Sequence, residues 1–125
     1  MIDKKTRALV YKKYSGKCAY CGSSILENRF QVDHIKPKWH SYTEEDKTRF
    51  NIVSGTDDIE NLNPACIRCN KWKSTFSIEQ FRREIQLQIE RLNLRSPNYR
   101  LAKDFNLLKE SEIKVKFYFE TIINQ

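Results

Sequence analysis

The chain has 125 residues, of which 39% are hydrophobic, 12% are aromatic and 31% are charged. This length predicts one domain, and the aromatic content argues against wholesale disorder although the apolar fraction predicts only a small core. Lysine and arginine outnumber the acidic residues by 23 to 16, so the formal net charge of +7 favours a polyanionic partner such as nucleic acid. Neither a bilayer-spanning apolar run nor a signal peptide is found, which predicts a cytoplasmic protein without membrane contact.

The first half of the chain predicts one short helix, one strand and a long loop. Residues 6–14 predict an amphipathic helix that ends at Gly16. Residues 28–35 alternate apolar and polar side chains, which is typical of a half-buried strand that ends before Pro37. Residues 36–60 have no steady hydrophobic period and predict a loop with one helical turn.

The second half of the chain predicts mainly helices. Residues 61–66 predict a short extended run with a break at Pro64, and residues 67–73 predict a helix. A capping-box pattern begins an amphipathic helix over residues 77–95. Residues 99–125 stay ambiguous, because the run VKFYFETII is strand-like in composition but lies in a helical context.

Two C-x-x-C pairs predict a metal site. The four cysteines of the chain are Cys18, Cys21, Cys66 and Cys69. Each pair can present two thiolates from one tight turn to a tetrahedral Zn²⁺ ion. Two disulfides or four ordinary buried thiols are the alternative, but disulfides are rare in a cytoplasm. A zinc ion held by both pairs would supply folding free energy that a small core lacks.

Candidate catalytic residues lie close to these cysteines in the sequence. Asp33 and His34 end the predicted strand, and Asn61 comes shortly before the second cysteine pair. Asn70 and Lys73 are three residues apart on the following helix and therefore share a face. An isolated Asp-His pair is usually no more than two solvated side chains, but the zinc site would bring this pair next to the helix.

The order of these motifs resembles the HNH endonuclease family. The matching segments are CAYCG at 18–22, VDHIKPK at 32–38, SGTDDIENLNPAC at 54–66 and CIRCNKWKS at 66–74. The resemblance implies an α+β fold, with a small ββα-metal core of two antiparallel strands and a helix that is stapled by the four-cysteine zinc site. We therefore expect residues 1–75 to form a nuclease domain with zinc knuckles. Residues 76–125 should be a C-terminal helical extension packed on that domain as a single structural unit.

The resemblance also implies a role for each site residue. His34 corresponds to the general base that takes a proton from water, which an imidazole with an ordinary pKa of about 6.5 can do at neutral pH. Asp33 and Asn70 correspond to ligands of the catalytic cation, and their oxygen donors suit Mg²⁺ or Mn²⁺. Asn61 corresponds to the middle asparagine of the catalytic set, which orients the loop or the general base. The lysines expected to contact phosphate are Lys73, Lys36 and Lys38.

These roles predict a metal-dependent endonuclease that hydrolyses phosphodiester bonds in DNA. One active site per chain predicts nicking, so cleavage of both strands would require a homodimer or a partner protein, which we expect to bind through the C-terminal region. Two alternatives remain at this point. In the first, the chain is a zinc-stabilised nucleic-acid-binding module that does not cleave its ligand. In the second, the chain directs the same chemistry at RNA as a toxin or defence effector.

Three other side chains near the motifs carry weaker predictions. Trp39 and Trp72 are candidates for stacking on bases, although Trp72 on the short helix is expected to pack inside the domain. The second histidine, His40, is interpreted as part of the loop surface.

Overall fold

The computed structural model describes residues 2–39 and 42–122, so the prediction for His40 lies outside the described residues. The helices are α1 (Lys4–Lys13), α2 (Glu44–Arg49), α3 (Ile67–Lys73), α4 (Ile78–Gln86), α5 (Gln88–Arg95), α6 (Pro97–Asp104) and α7 (Tyr118–Thr121), and the strands are β1 (Gln31–His34) and β2 (Leu62–Ala65). This mixture of helices with a small sheet confirms the predicted α+β class. No helix in the described part of the chain combines the length and the apolar character that crossing a bilayer demands.

Strands β1 and β2 form an antiparallel sheet that is the centre of the fold. Val32 pairs with Pro64, and Asp33 pairs with Asn63. All four residues of β2 are buried. Pro64 has no N–H to donate, but its carbonyl oxygen accepts a hydrogen bond from the Ala19 N–H at 2.8 Å. The sheet is thereby joined to the turn that carries the first cysteine pair.

Helix α3 follows β2 directly, and its start is fixed by a cysteine. Cys66 is the N-cap residue, and its Sγ accepts a hydrogen bond from the Cys69 N–H at 3.3 Å. The helix ends at Lys73, because Ser74 adopts a left-handed backbone conformation with φ 48°. The sequence predicted these same bounds for the helix. β1, β2 and α3 therefore form one ββα unit.

The helix predicted over residues 77–95 is observed as α4 and α5, which are separated at Leu87. The predicted capping box is present: Ser77 Oγ accepts from the Gln80 N–H at 3.1 Å, and Gln80 Oε1 accepts from the Ser77 N–H at 2.9 Å. Leu87 itself stays close to helical geometry, with φ −80° and ψ −6°. The helical prediction is therefore right in extent and differs from the structure only at this interruption.

The end of the described chain returns to the first cysteine pair. The ambiguous run VKFYFETII is not helical up to Phe117 and then begins α7. Phe117 stacks on Phe81 at a centroid distance of 5.2 Å, and Tyr20 meets the Phe117 ring edge-on at 5.3 Å. The Tyr118 N–H donates to the Tyr20 carbonyl oxygen at 3.0 Å. Residues of the C-terminal region thus complete the same core as residues near the cysteines.

We predict that Phe117→Ala lowers the free energy of unfolding by about 3–5 kcal/mol, because Phe117 is only 1% exposed and its removal leaves a cavity. Urea unfolding monitored by circular dichroism measures the change. Phe50→Ala is the matched control, since Phe50 is 58% exposed and its loss should change stability by no more than about 0.5 kcal/mol. Equal effects of the two substitutions would contradict this description of the core.

A second prediction concerns acid stability. Arg82 donates two hydrogen bonds of 2.7 Å to the Glu120 carboxylate, and this contact lowers the pKa of Glu120. A carboxyl group with a lowered folded pKa adds stability above its unfolded pKa of about 4.3, and that stability is lost as the pH falls through the folded value. Below about pH 4.5, the wild-type protein should therefore lose stability more steeply than Glu120→Gln. The exposed Glu112→Gln is the control, and parallel profiles for wild type and Glu120→Gln would contradict the prediction.

Candidate active site and metal centre

The two cysteine pairs meet in space. Their ligand atoms all lie within 4.8 Å of one another, and the four cysteines are Cys18, Cys21, Cys66 and Cys69. None of the four forms a disulfide. In a tetrahedral ZnS₄ site with Zn–S bonds of ~2.3 Å, the sulfur atoms are ~3.8 Å apart, and the observed distance between Cys21 Sγ and Cys66 Sγ is 3.9 Å. The cluster therefore fits one tetrahedral metal ion, as the spacing predicted.

Local backbone geometry builds this cluster. The Gly22 N–H donates to the Cys18 carbonyl oxygen at 3.0 Å, which closes the turn around the first pair. Gly22 has φ 75°, and a Cβ atom there would lie 2.9 Å from the Tyr118 ring, so only glycine fits the turn without strain. Within the cluster, the hydrogen bond from Cys69 lowers the pKa of Cys18, and the same contact raises the pKa of Cys69.

A buried polar network lies beneath β1. Lys73 is fully buried, and its Nζ lies 3.1 Å from Asp33 Oδ2. The Tyr20 hydroxyl also donates to Asp33, and Asn63 Nδ2 donates to the Tyr20 oxygen at 3.3 Å. Burial raises the pKa of Asp33, and the Lys73 ammonium opposes that rise. Lys73 was predicted to contact phosphate, but in this structure its ammonium group is enclosed, because the long side chain reaches back under the strand.

The residues predicted as the general base and as the two cation ligands line one cavity, and Asn61, the fourth predicted residue, is not part of its lining. Asp33, His34 and Asn70 border a space of about 420 Å³ between the end of β1 and helix α3. Adjacent strand residues usually point to opposite faces, but His34 is the last residue of β1 and can share the cavity with Asp33. A carboxylate has roughly four lone-pair sites, so Asp33 keeps capacity for a cation beside its bonds to Lys73 and Tyr20. Asp33 and Asn70 thus place two oxygen donors at this cavity, and oxygen donors suit hard divalent cations.

His34 has a partner that the sequence did not reveal. Its Nε2 lies 2.8 Å from Asp57 Oδ1, and Lys38 Nζ donates to Asp57 Oδ2 at 3.0 Å. These two hydrogen bonds lower the pKa of Asp57 to about 2. Asp57 falls in the predicted loop over residues 36–60, within the SGTDDIENLNPAC segment that resembles the family. Lys38, predicted to contact phosphate, is paired with this carboxylate and is 28% exposed.

Asn61 connects two loop segments beside His34. Its Oδ1 accepts a hydrogen bond from the Lys36 N–H at 2.8 Å, and its Nδ2 donates to the carbonyl oxygens of Lys36 and Thr56 at 3.1 and 2.8 Å. The Lys36 residue itself is exposed. All three side-chain contacts of Asn61 are to backbone atoms, so the side chain ties the segment after β1 to the segment that carries Asp57.

The two tryptophans lie differently from one another. Trp39 lines the cavity together with the three candidate residues. Trp72 is 61% exposed on α3, so the expectation that it packs inside the domain is wrong. Lys73 occupies the buried face of this short helix, so the Trp72 ring faces solvent.

The small antiparallel sheet, the following helix and the four-thiol cluster are the features that the resemblance to the HNH endonuclease family implied. Residues 18–76, just under half of the chain, match the HNH endonuclease family.

Two similar proteins are a prophage-derived protein and a larger enzyme. YoqL, an SPbeta prophage-derived protein of Bacillus subtilis (strain 168) whose name places it among HNH endonucleases, is 31% identical over 70 residues. The match covers 54% of this chain and 27% of the relative, so the chain spans about a quarter of that relative's length. Among solved structures, the Type II-C Cas9 enzyme from Actinomyces naeslundii matches with a TM-score of 0.49 and 24% identity, over 64% of this chain and 7% of that one.

We predict that the purified protein holds one zinc ion per chain and that Cys66→Ser loses it. Serine is a good helix N-cap, so this substitution removes a metal ligand while it keeps the cap of α3. Elemental analysis measures the metal, and thermal unfolding should show a lower midpoint both for Cys66→Ser and for chelator-treated wild type, because structural zinc contributes folding free energy. Unchanged zinc content and midpoint in Cys66→Ser would contradict the prediction.

Proposed function

We propose that this protein is an endonuclease that hydrolyses phosphodiester bonds in DNA and nicks one strand per chain. The observation that carries the proposal is the cavity shared by Asp33, His34 and Asn70, beside the four-thiol cluster. Asp33 and Asn70 would hold a Mg²⁺ or Mn²⁺ ion, and a zinc ion in the thiol cluster would be structural. A general base and two oxygen ligands at one cavity are the parts that hydrolysis of a phosphodiester requires.

His34 would act as the general base. Its imidazole takes a proton from water while the water oxygen attacks phosphorus, and the bond from phosphorus to the 3′ oxygen breaks. The departing oxygen takes a proton from solvent, which leaves a 5′-phosphate and a 3′-hydroxyl group. The divalent ion, when bound, supplies Lewis-acid stabilisation of the negative charge that develops on the phosphate and the leaving oxygen.

The charge distribution supports a nucleic-acid substrate. Most of the net positive charge falls in residues 1–75, which contain the proposed site, and the α1 lysines Lys4, Lys5 and Lys12 are exposed. Among the lysines predicted to contact phosphate, Lys36 is the exposed one and is therefore the best candidate. We place the reaction in the cytoplasm, where thiols stay reduced and available to metal.

The arrangement of the chain is also part of the proposal. We treat residues 1–75 as the nuclease domain and residues 76–125 as an extension that folds with it as one unit, and the packing of Phe117 against Tyr20 supports this.

A homodimer or a partner protein bound through the extension remains our prediction for cleavage of both strands. Exposed apolar side chains there, Leu94, Leu101, Phe105 and Leu107, support such a contact.

The decisive assay is the nicking of supercoiled plasmid in the presence of Mg²⁺ or Mn²⁺. We expect His34→Ala to reduce the rate by roughly 10²–10⁴, which is the usual contribution of a general base. Asn70→Ala should raise the metal concentration required for activity. Asn98→Ala is the matched control, because Asn98 is exposed on α6 and distant in sequence from the candidate residues.

Three outcomes would separate the alternatives. Nicking that survives His34→Ala unchanged would contradict the assignment of the base. DNA binding without any cleavage by the wild-type protein would favour a binding module. Faster cleavage of labelled RNA than of single-stranded or duplex DNA would redirect the same chemistry to RNA.

A further inference from the structure

We propose that Asp57 is a positioning residue that fixes the tautomer and the ring orientation of His34. It would hold the imidazole proton on Nε2 and leave Nδ1 as the nitrogen that accepts a proton from water. This inference deepens the proposed function and rests on it, but the tautomer can be tested without any activity.

The hydrogen-bond geometry carries the proposal. A neutral imidazole has one donor nitrogen and one acceptor nitrogen, and their assignment follows from the partner of each. His34 Nε2 lies 2.8 Å from Asp57 Oδ1. A carboxylate accepts hydrogen bonds and donates none, and Asp57 is ionised at neutral pH because its pKa is lowered to about 2. Nε2 must therefore donate, which leaves the lone pair on Nδ1.

Lys38 fixes the orientation of the carboxylate. Its Nζ donates to Asp57 Oδ2 at 3.0 Å, so each carboxylate oxygen has one partner. Asp57 is 42% exposed and would otherwise rotate freely in solvent, whereas His34 is only 22% exposed. The ammonium group also balances the charge of Asp57, which limits how strongly the carboxylate retains the imidazole proton.

The backbone explains how Asp57 reaches His34. The Gly55 N–H donates to the Pro37 carbonyl oxygen at 2.8 Å. A Cβ atom on Gly55 would lie 1.8 Å from the Lys36 carbonyl oxygen, so the two segments approach too closely for any other residue. Asn61 bridges the same two segments. The segment of residues 54–58 is thus held against the segment after β1. The closest approach is at Gly55, two residues before Asp57.

Asp57→Asn is the most informative variant, because the amide cannot satisfy both donors. Lys38 requires an acceptor, so the amide oxygen would turn to Lys38 and the amide NH₂ would face His34 Nε2. Nε2 would then have to accept, and the proton would move to Nδ1. The corresponding Asp→Asn change in the serine-protease triad leaves the geometry intact and lowers kcat by roughly 10⁴ through the wrong tautomer.

The experiment compares Asp57→Asn, Asp57→Ala and the control Asp58→Asn, which makes the same change of charge one residue away. Asp58 accepts a hydrogen bond from Thr56, not from His34. Long-range ¹H–¹⁵N correlation spectra of the imidazole, recorded at about pH 8.5, report the tautomer. A His40→Gln background leaves His34 as the one histidine of the chain. Nicking assays on the same proteins give kcat and KM.

We expect the Nε2–H tautomer in wild type and Asp58→Asn, and the Nδ1–H tautomer in Asp57→Asn. In Asp57→Asn, kcat should fall by about 10² or more while KM for plasmid changes little, and Asp57→Ala should be impaired less, because alanine permits both tautomers. An Nδ1–H tautomer in wild type, or an unchanged tautomer and kcat in Asp57→Asn, would overturn the inference. If the expected tautomers are observed but the wild-type protein cleaves no nucleic acid, the role of Asp57 in fixing the ring is supported and the proposed function is overturned.

Discussion

The buried ion pair between Lys73 and Asp33 is the contact on which the arrangement of the site depends. Two charges removed from water cost several kcal/mol each unless they are paired and fully hydrogen-bonded. Both conditions hold, since Lys73 Nζ also donates to the carbonyl oxygens of His34 and Ile35, and Asp33 also accepts from Tyr20. The pair therefore fixes the end of α3 against β1 and at the same time sets the position of the carboxylate at the cavity.

The thiol cluster acts at the other end of the same helix. Cys66 and Cys69 lie at the start of α3 and Lys73 is its last residue. A helix of seven residues is too short to be stable in isolation, so its stability must come from such tertiary contacts. Asn70 lies between the two attachment points. The helix is held at both ends, and the residue in its middle reaches the cavity.

Local patterns predicted the parts of the fold that local interactions decide. The bounds of α3, the capping box at Ser77 and the meeting of the two cysteine pairs follow from spacing and from capping chemistry. The shared cavity of Asp33, His34 and Asn70 followed from the resemblance to a family, while the roles of these residues stay predictions.

The remaining features depend on contacts between residues distant in sequence, so no local pattern reveals them. The burial of Lys73 depends on a partner 40 residues away in β1, and Asp57 meets His34 through a loop of irregular sequence, 23 residues away along the chain. The run VKFYFETII stayed ambiguous because its conformation is set by packing of Phe117 on distant rings, not by its own periodicity.

The return of the chain to the first cysteine pair has a consequence for biosynthesis. The N–H groups of Tyr118 and Phe119 bond to the carbonyl oxygens of Tyr20 and Ala19, and Phe117 covers the Tyr20 ring. A nascent chain that has left the ribosome only as far as residue 76 contains every proposed catalytic residue but lacks this cover. Because the Tyr20 hydroxyl binds Asp33, the surroundings of the carboxylate are completed only after residues 117–119 have emerged.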